Sequence, residues 1–203
     1  GMSSSQLQNS GKGFSFAKDE ILDMRYDIKN SVTAEDIVNE YSEKELAEVF
    51  KKWGEEPYAL KIAAAIIGAR KKNRIKTTRE LTRIIEKIAP RRGRLHPATL
   101  VFQALRIEVN GEISEIEKAL EVIPEILSKN GRAVFISFHS LEDRLIKNWS
   151  RNLDKEGVIK ILNKSFTFPS GKVKDKKPIT VSPRELEMNP RSRSAKLRIV
   201  EKK

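Results

Sequence analysis

The run Arg132-Ala133-Val134-Phe135-Ile136-Ser137-Phe138-His139-Ser140-Leu141-Glu142-Asp143-Arg144 changes character twice within a few residues. Its first seven positions are apolar and rich in β-formers, and so predict a strand over 132–138. A polar turn follows, and Leu141 to Trp149 reads as a helix, with Ser140 as its expected cap and Asp143 in its first turn, facing the positive end of the helix dipole. A second phrase, Asn189-Pro190-Arg191-Ser192-Arg193-Ser194-Ala195-Lys196-Leu197-Arg198, is basic and runs into a strand expected over 196–200. With another strand expected over 158–162, the order helix, strand, helix, strand, strand is that of one half of a twisted α/β sheet. Such a half leaves a sheet edge open, so the reading expects the first strands to come from upstream sequence and the chain to be truncated at its start.

Upstream the pattern is helical. Thr33 is placed to cap a short helix through Val38. Ser42 with Glu45, and Thr77 with Glu80, have capping-box spacing ahead of apolar stripes. Glu55 is expected to open a helix carrying Ile62, Ala65, Ile66 and Ala69, and Pro90 to end the one after it. Pro97 suits a first helical turn, and the helix it opens carries Val101, Phe102, Leu105 and Val109. A further helix carries Ile113, Ile116, Leu120, Ile123 and Leu127, and Asn130-Gly131 stops it. The stretch from Phe168 to Pro183, rich in Lys and Pro, has no periodicity and reads as a loop.

With 203 residues, 38% hydrophobic and 33% charged, the chain has enough for a packed core under a heavily charged surface. The absence of cysteine removes disulfides and thiolate metal sites and fits a reducing cytoplasm, the expected location. Two histidines, His96 and His139, make a histidine metal cage an unfavourable reading, so no metal is expected. No apolar run approaches the roughly 20 residues of a membrane span, and no membrane partner is expected. The net charge of +12 is concentrated: Arg70–Arg94 holds 11 basic and 2 acidic residues, Lys164–Lys203 holds 12 and 4, and the rest of the chain is left at −5. Two basic segments on an otherwise acidic chain favour a polyanionic partner over a generally basic surface. The competing reading is a pair of solvated charged faces.

The two phrases quoted above, with Gly13-Phe14-Ser15-Phe16, Leu22-Asp23-Met24-Arg25-Tyr26-Asp27, Gly54-Glu55-Glu56, His96-Pro97-Ala98-Thr99 and Phe102-Gln103-Ala104-Leu105-Arg106, occur in one order along nearly the whole chain. In this the chain resembles the bacterial 16S ribosomal RNA cytosine-N4 methyltransferases, which use S-adenosyl-L-methionine on a cytosine of the decoding region. The resemblance implies an α/β fold: an incomplete Rossmann-like methyltransferase core, its later strands and helices present, with an inserted all-α domain. The expected divisions are 1–16, a remnant of the core; 17–96, an inserted helical substrate-recognition domain; and 97–203, the C-terminal half of the core. It also implies 16S ribosomal RNA in the small subunit as partner. A non-catalytic RNA-binding module derived from such an enzyme is the alternative.

The resemblance carries a cofactor contact onto Gln6, in a segment like the tail of the family's Asp-Leu-Gly-Val-Ser-Ser turn. The family's glycine-rich cofactor loop has no counterpart in this sequence. Methylation of an exocyclic amine needs hydrogen-bond acceptors at its N–H groups and an aligned nitrogen, methyl and sulfur more than a strong base. Asn189-Pro190 lacks the second proline and aromatic residue of many amino-methyltransferases. The turn after the first strand is better placed, because ligands gather beyond the C-terminal ends of strands. Phe138 is a candidate stacking surface there, and His139 and Ser140 are the candidate catalytic residues. Glu142 and Arg144 read as local ion-pair formers. Arg25, flanked by Asp23 and Asp27, is a candidate RNA contact or else a loop-pinning ion pair. Arg91, Arg92, Arg94, Arg191 and Arg193 are further RNA candidates. His96 reads as a helix-entry residue, and Phe14 and Phe16 as packing residues.

Overall fold

Capping boxes set the start of three helices in the first part of the chain. In the computed structural model, which describes residues 11–93, 95–162 and 177–203, the hydroxyls of Thr33, Ser42 and Thr77 each accept from the backbone three residues on. The acidic side chains of Asp36, Glu45 and Glu80 bond back. These caps open α1 (Ala34–Glu40), α2 (Glu43–Gly54) and α4 (Thr78–Glu86), with α3 (Ala59–Arg70) between the last two. Helix α5 (Thr99–Asn110) ends at Gly111 in the left-handed conformation.

Glu55 does not open a helix. It closes α2 in the left-handed region (φ 52°), its N–H returning to Lys51 and Phe50, and α3 starts four residues later. Pro90 lies beyond the end of α4, which has already reached its C-cap at Lys87.

The chain divides into two compact units, Met2–Glu112 and Ile113–Lys203. The division differs from the expected boundaries at 16/17 and 96/97. Phe14, Val101, Phe102, Ala104 and Leu105 belong to the same buried cluster as Leu46, Phe50, Ile62, Ile66, Leu81 and Ile85. Apolar burial therefore holds α5 and the Phe14 segment in the helical unit, at roughly 1.5–3 kcal/mol for each fully buried large side chain. Gly54 makes the α2–α5 approach possible, since a Cβ there would lie 2.6 Å from the Leu100 carbonyl oxygen. Gly13 (φ +75°) is equally constrained: its Cβ would sit 2.1 Å from the carbonyl oxygen of Ile21.

The second unit is mixed α/β with a small antiparallel sheet. Its elements are α6 (Glu112–Ile126, beginning at the division), β1 (Arg132–Ser137), α7 (Ser140–Lys155), β2 (Ile159–Ile161), β3 (Ile179–Thr180), α8 (Pro183–Met188), a 3-10 turn (Pro190–Ser194) and β4 (Lys196–Lys202). Strand β4 is central, antiparallel to β1, β2 and β3. Strands β1 and β2 are therefore parallel to each other, joined by the crossover helix α7, with β4 inserted between them.

Strand β3 falls within 168–183, the stretch expected to be a loop, and helix α8 begins at its last residue. Strand β3 is two residues long, too short for alternation to register.

In β1 alternate residues face opposite sides. Phe135 meets Trp149 of α7 edge-on at 5.5 Å, while Val134 and Ile136 are 58% and 59% exposed. Among the described residues β1 pairs only with β4, which leaves its other edge open. Among the described residues no helix is long and apolar enough to cross a membrane.

Candidate functional site

The phrases 136–144 and 189–198 meet in the second unit. Ser137 pairs with Lys196 across the β1–β4 ladder, and Phe135 with Arg198. The C-terminal end of β1 thus lies beside the start of β4, where the basic segment arrives.

Helix α7 opens directly after β1, and His139 is its cap. Its Nδ1 accepts from the Glu142 N–H at 3.4 Å, while the Glu142 carboxylate accepts from the N–H groups of Phe138 (2.8 Å) and His139 (3.3 Å). His139 Nε2 also lies 3.4 Å from Glu142 Oε1. Ser140 is the first helical residue and is exposed, so the expected cap is corrected by one position. Both His139-Glu142 and Ser140-Asp143 have capping-box spacing. The first forms, and the Asp143 N–H returns to the His139 carbonyl.

Asp143 Oδ1 accepts from Arg198 Nε at 2.8 Å and Oδ2 from Nη2 at 3.1 Å, with Lys196 Nζ 3.3 Å from Oδ2. Arg198 and Asp143 are both buried. Burial alone would raise the Asp143 pKa, but the bonds and charges of Arg198 and Lys196 outweigh it and hold the carboxyl below its ordinary value. Glu142 likewise serves the turn backbone. Both acids of this turn are committed to positioning, and neither is placed as a base.

Phe138 remains 46% exposed at the strand end. His139 and Ser140 stand beside it, the former held by its cap. Beyond α8, the Ser192 hydroxyl donates to the Asn189 carbonyl at 2.7 Å and is buried. This anchors the 3-10 turn and leaves its neighbours Arg191 and Arg193 exposed.

The remaining candidates lie in the helical unit. Arg25 folds back on its own loop: Nε and Nη2 reach both oxygens of Asp23 at 2.8 and 2.9 Å, and Nη1 reaches the Asn30 carbonyl at 2.8 Å. The Arg25 pair holds Asp23 below the ordinary carboxylate range. Asp27 takes no part in this and accepts from the Lys29 N–H. Of the two readings of Arg25, the geometry favours the loop-pinning pair. Arg91 is exposed. Arg92 lies over the Tyr58 ring at 5.1 Å, with Glu56 at 3.9 Å. Gln6 and Arg94 lie outside the described residues.

Sequence reasoning missed the Asp143–Arg198–Lys196 cluster and the Glu56–Arg92–Tyr58 arrangement. Glu56 is 4% exposed. Its phrase, Gly54-Glu55-Glu56, was a signal with no role attached. Nothing local could have tied Asp143 to a residue 55 positions away.

The described residues do not form a cradle for S-adenosylmethionine. Of the left-handed glycines among them, Gly11 and Gly13 share one bend, where the Gly13 N–H donates to Glu20, and Gly93, Gly111 and Gly157 stand in other turns; the backbone donors of the 138–139 turn are taken by Glu142.

Comparison with known proteins gives the family. The model of the MraW methylase family matches residues 1–203. The chain is 47% identical over 202 residues to the ribosomal RNA small subunit methyltransferase H of Elusimicrobium minutum, covering 100% of this chain and 65% of that protein. The protein of the same name from Sulfurihydrogenibium sp. is 46% identical over 202 residues, covering 98% and 64%. That of Carboxydothermus hydrogenoformans is 48% identical over 210 residues, covering 100% and 67%. The chain thus spans about 65% of the length of the curated relatives it matches. With the match running from residue 1 to residue 203, the chain belongs to the MraW methylase family.

Proposed function

We propose that this chain is part of an S-adenosyl-L-methionine-dependent enzyme that methylates N4 of a decoding-region cytosine in 16S ribosomal RNA, in the cytoplasm. The observation that supports this most directly is the match of residues 1–203 to the family model, with relatives named ribosomal RNA small subunit methyltransferase H. In this reading the α/β unit is the later part of a Rossmann-like core. The helical unit carries the substrate recognition expected of 17–96.

S-adenosyl-L-methionine would supply an electrophilic methyl group, with Gln6 as the contact carried over by resemblance. The described residues do not hold it. What they do is position the acceptor. Phe138, exposed at the strand end, gives a cytosine ring an apolar face. His139, fixed by its cap, presents its ring beside Phe138 without freedom to swing away. Asp143 and Glu142, locked to Arg198 and to the turn, keep that geometry at the cost of being bases themselves.

The test joins this chain to the portion of the Elusimicrobium relative that it does not cover. Methyl transfer to cytosine N4 of small-subunit RNA is expected. Transfer to ring carbon C5 or a ribose hydroxyl would overturn the N4 assignment. Gln6→Ala in the joined protein should weaken cofactor binding about threefold to tenfold, the effect of removing one polar interaction.

The exposed Arg91, Arg191 and Arg193 also fit a second reading, an RNA-binding module without catalysis. Binding of S-adenosylmethionine by the joined protein separates the two, since a pure RNA module has no use for it.

A further inference from the structure

A surface pocket of about 290 Å³ opens on the helical unit, lined by Phe16, Lys18, Asp19, Arg79, Thr82, Arg83 and their neighbours. Its lining includes none of His139, Arg91 and Arg92. Its volume is at the lower end of the range for small-molecule sites.

Phe16 is held as a platform. The ring stacks on His96 with centroids 4.5 Å apart and planes at 22°, and Phe102 meets it edge-on at 5.2 Å. His96 is fixed in turn. Its Nδ1 accepts from the Ala98 N–H at 3.2 Å, which leaves the proton of the neutral ring on Nε2, 3.2 Å from Glu86. A half-buried ring gripped by His96 and Phe102 and also forming part of a pocket wall is preorganised to stack on something entering that pocket.

The charge around it is cationic. Arg79 and Arg83 are one helical turn apart on the exposed face of α4. Arg79 is paired with Asp19 at 3.6 Å, and Glu86 is engaged by His96. Lys18 and Arg83 are exposed, and neither has a carboxylate within ion-pair distance among the described residues, although the Arg83 charge reaches Asp19 and helps to lower its pKa. The Thr82 hydroxyl, in the same wall, has no hydrogen-bond partner among the described residues, and a polar atom left so calls for an explanation.

From this juxtaposition we infer that the pocket binds one unstacked nucleotide of single-stranded RNA, its base on Phe16 and its phosphate on Lys18 and Arg83. The inference rests on the RNA-binding reading above and adds a site to it. A duplex cannot present a base to Phe16 without unpairing it, so single strands are the ligand. An acidic peptide would use Lys18 and Arg83 but would leave the ring idle, and that difference makes the ring the discriminating residue.

The test uses the 203-residue chain and a fluorescein-labelled oligoribonucleotide of mixed sequence, single-stranded and as a duplex, with anisotropy read at several salt concentrations. The unaltered chain should prefer the single strand. Phe16→Leu should weaken single-strand binding about fivefold or more, while Phe16→Tyr, which keeps a stacking face, should stay within about twofold. Arg83→Ala should lower the log–log salt slope by about 0.7, one phosphate contact on a single strand. Melting temperatures of both Phe16 variants are recorded alongside. If Phe16→Tyr loses as much affinity as Phe16→Leu, the ring is packing only and the pocket assignment fails. If all three variants bind like the unaltered chain, the pocket is overturned while the RNA-binding reading stands. If the unaltered chain binds neither RNA, both fall together.

Discussion

Asp143, in the first turn of α7, and Arg198, in the middle of β4, form a two-point ion pair at 2.8 and 3.1 Å with both side chains largely out of water. The pair ties the helix that follows the β1 turn to the strand inserted beside β1. The Asp143 carboxylate is turned to β4, and the α7 capping box forms one residue earlier, between His139 and Glu142.

Removing one partner strands the other charge in a buried setting. Asp143→Ala should therefore cost about 3–5 kcal/mol, a much larger loss than a surface ion pair gives. Urea unfolding monitored at Trp149, which packs on β1 in the same unit, measures it. A loss under about 1 kcal/mol would mean that the pair is solvated in solution.

The same pair sets an acid limit. Asp143 has its carboxyl pKa lowered in the fold, so it stabilises the protein fully above the unfolded value of about 3.9 and loses that contribution as pH falls through the folded value. Asp23, lowered by Arg25, and Asp36, lowered by Thr33, act in the same direction. Stability should be flat from neutrality to about pH 5 on account of these groups and decline below about pH 4. Asp143→Asn should be less stable at neutrality, with a shallower decline, as read from unfolding midpoints across that range.

His139 has two roles that substitutions can part. As a cap, His139→Ala should cost roughly 1 kcal/mol, and His139→Asn should recover most of it. In the joined protein, His139→Ala should lower turnover while cofactor affinity holds. If His139→Asn restores stability and turnover alike, the imidazole does nothing beyond capping.

The arginines should sort by what they already touch. Arg191→Ala with Arg193→Ala should flatten the salt dependence of RNA binding by about 0.7 for each phosphate no longer neutralised, with little effect on melting. Arg25→Ala should do the opposite, lowering the melting temperature and leaving the salt slope unchanged, because its guanidinium is spent on Asp23 and Asn30. A lowered slope for Arg25→Ala would return it to the RNA-binding residues.

Local chemistry was enough for much of this protein. Ser42 and Thr77 cap where their spacing to Glu45 and Glu80 says they must, and Thr33 caps the short helix expected after it, because a cap is an interaction between residues three apart. The strand over Arg132–Ser137 and the helix after it are legible for the same reason: side-chain periodicity is a property of neighbours. The motif phrases, too, are linear, and their order alone resembles the family to which the chain belongs. Tertiary structure decided what depends on distant partners. Only the tertiary fold brings Asp143 to Arg198, and only the structure places the α7 cap on His139 and not on Ser140. Only the fold shows that Arg25 is occupied and that Arg191 and Arg193 are exposed. The stacking of Phe16 on His96, 80 positions along the chain, turns a residue that reads as packing into the wall of a pocket. A charge or a ring carries the same letter in the sequence whether its partner is solvent or another side chain, and burial across long separations is what tells the two apart.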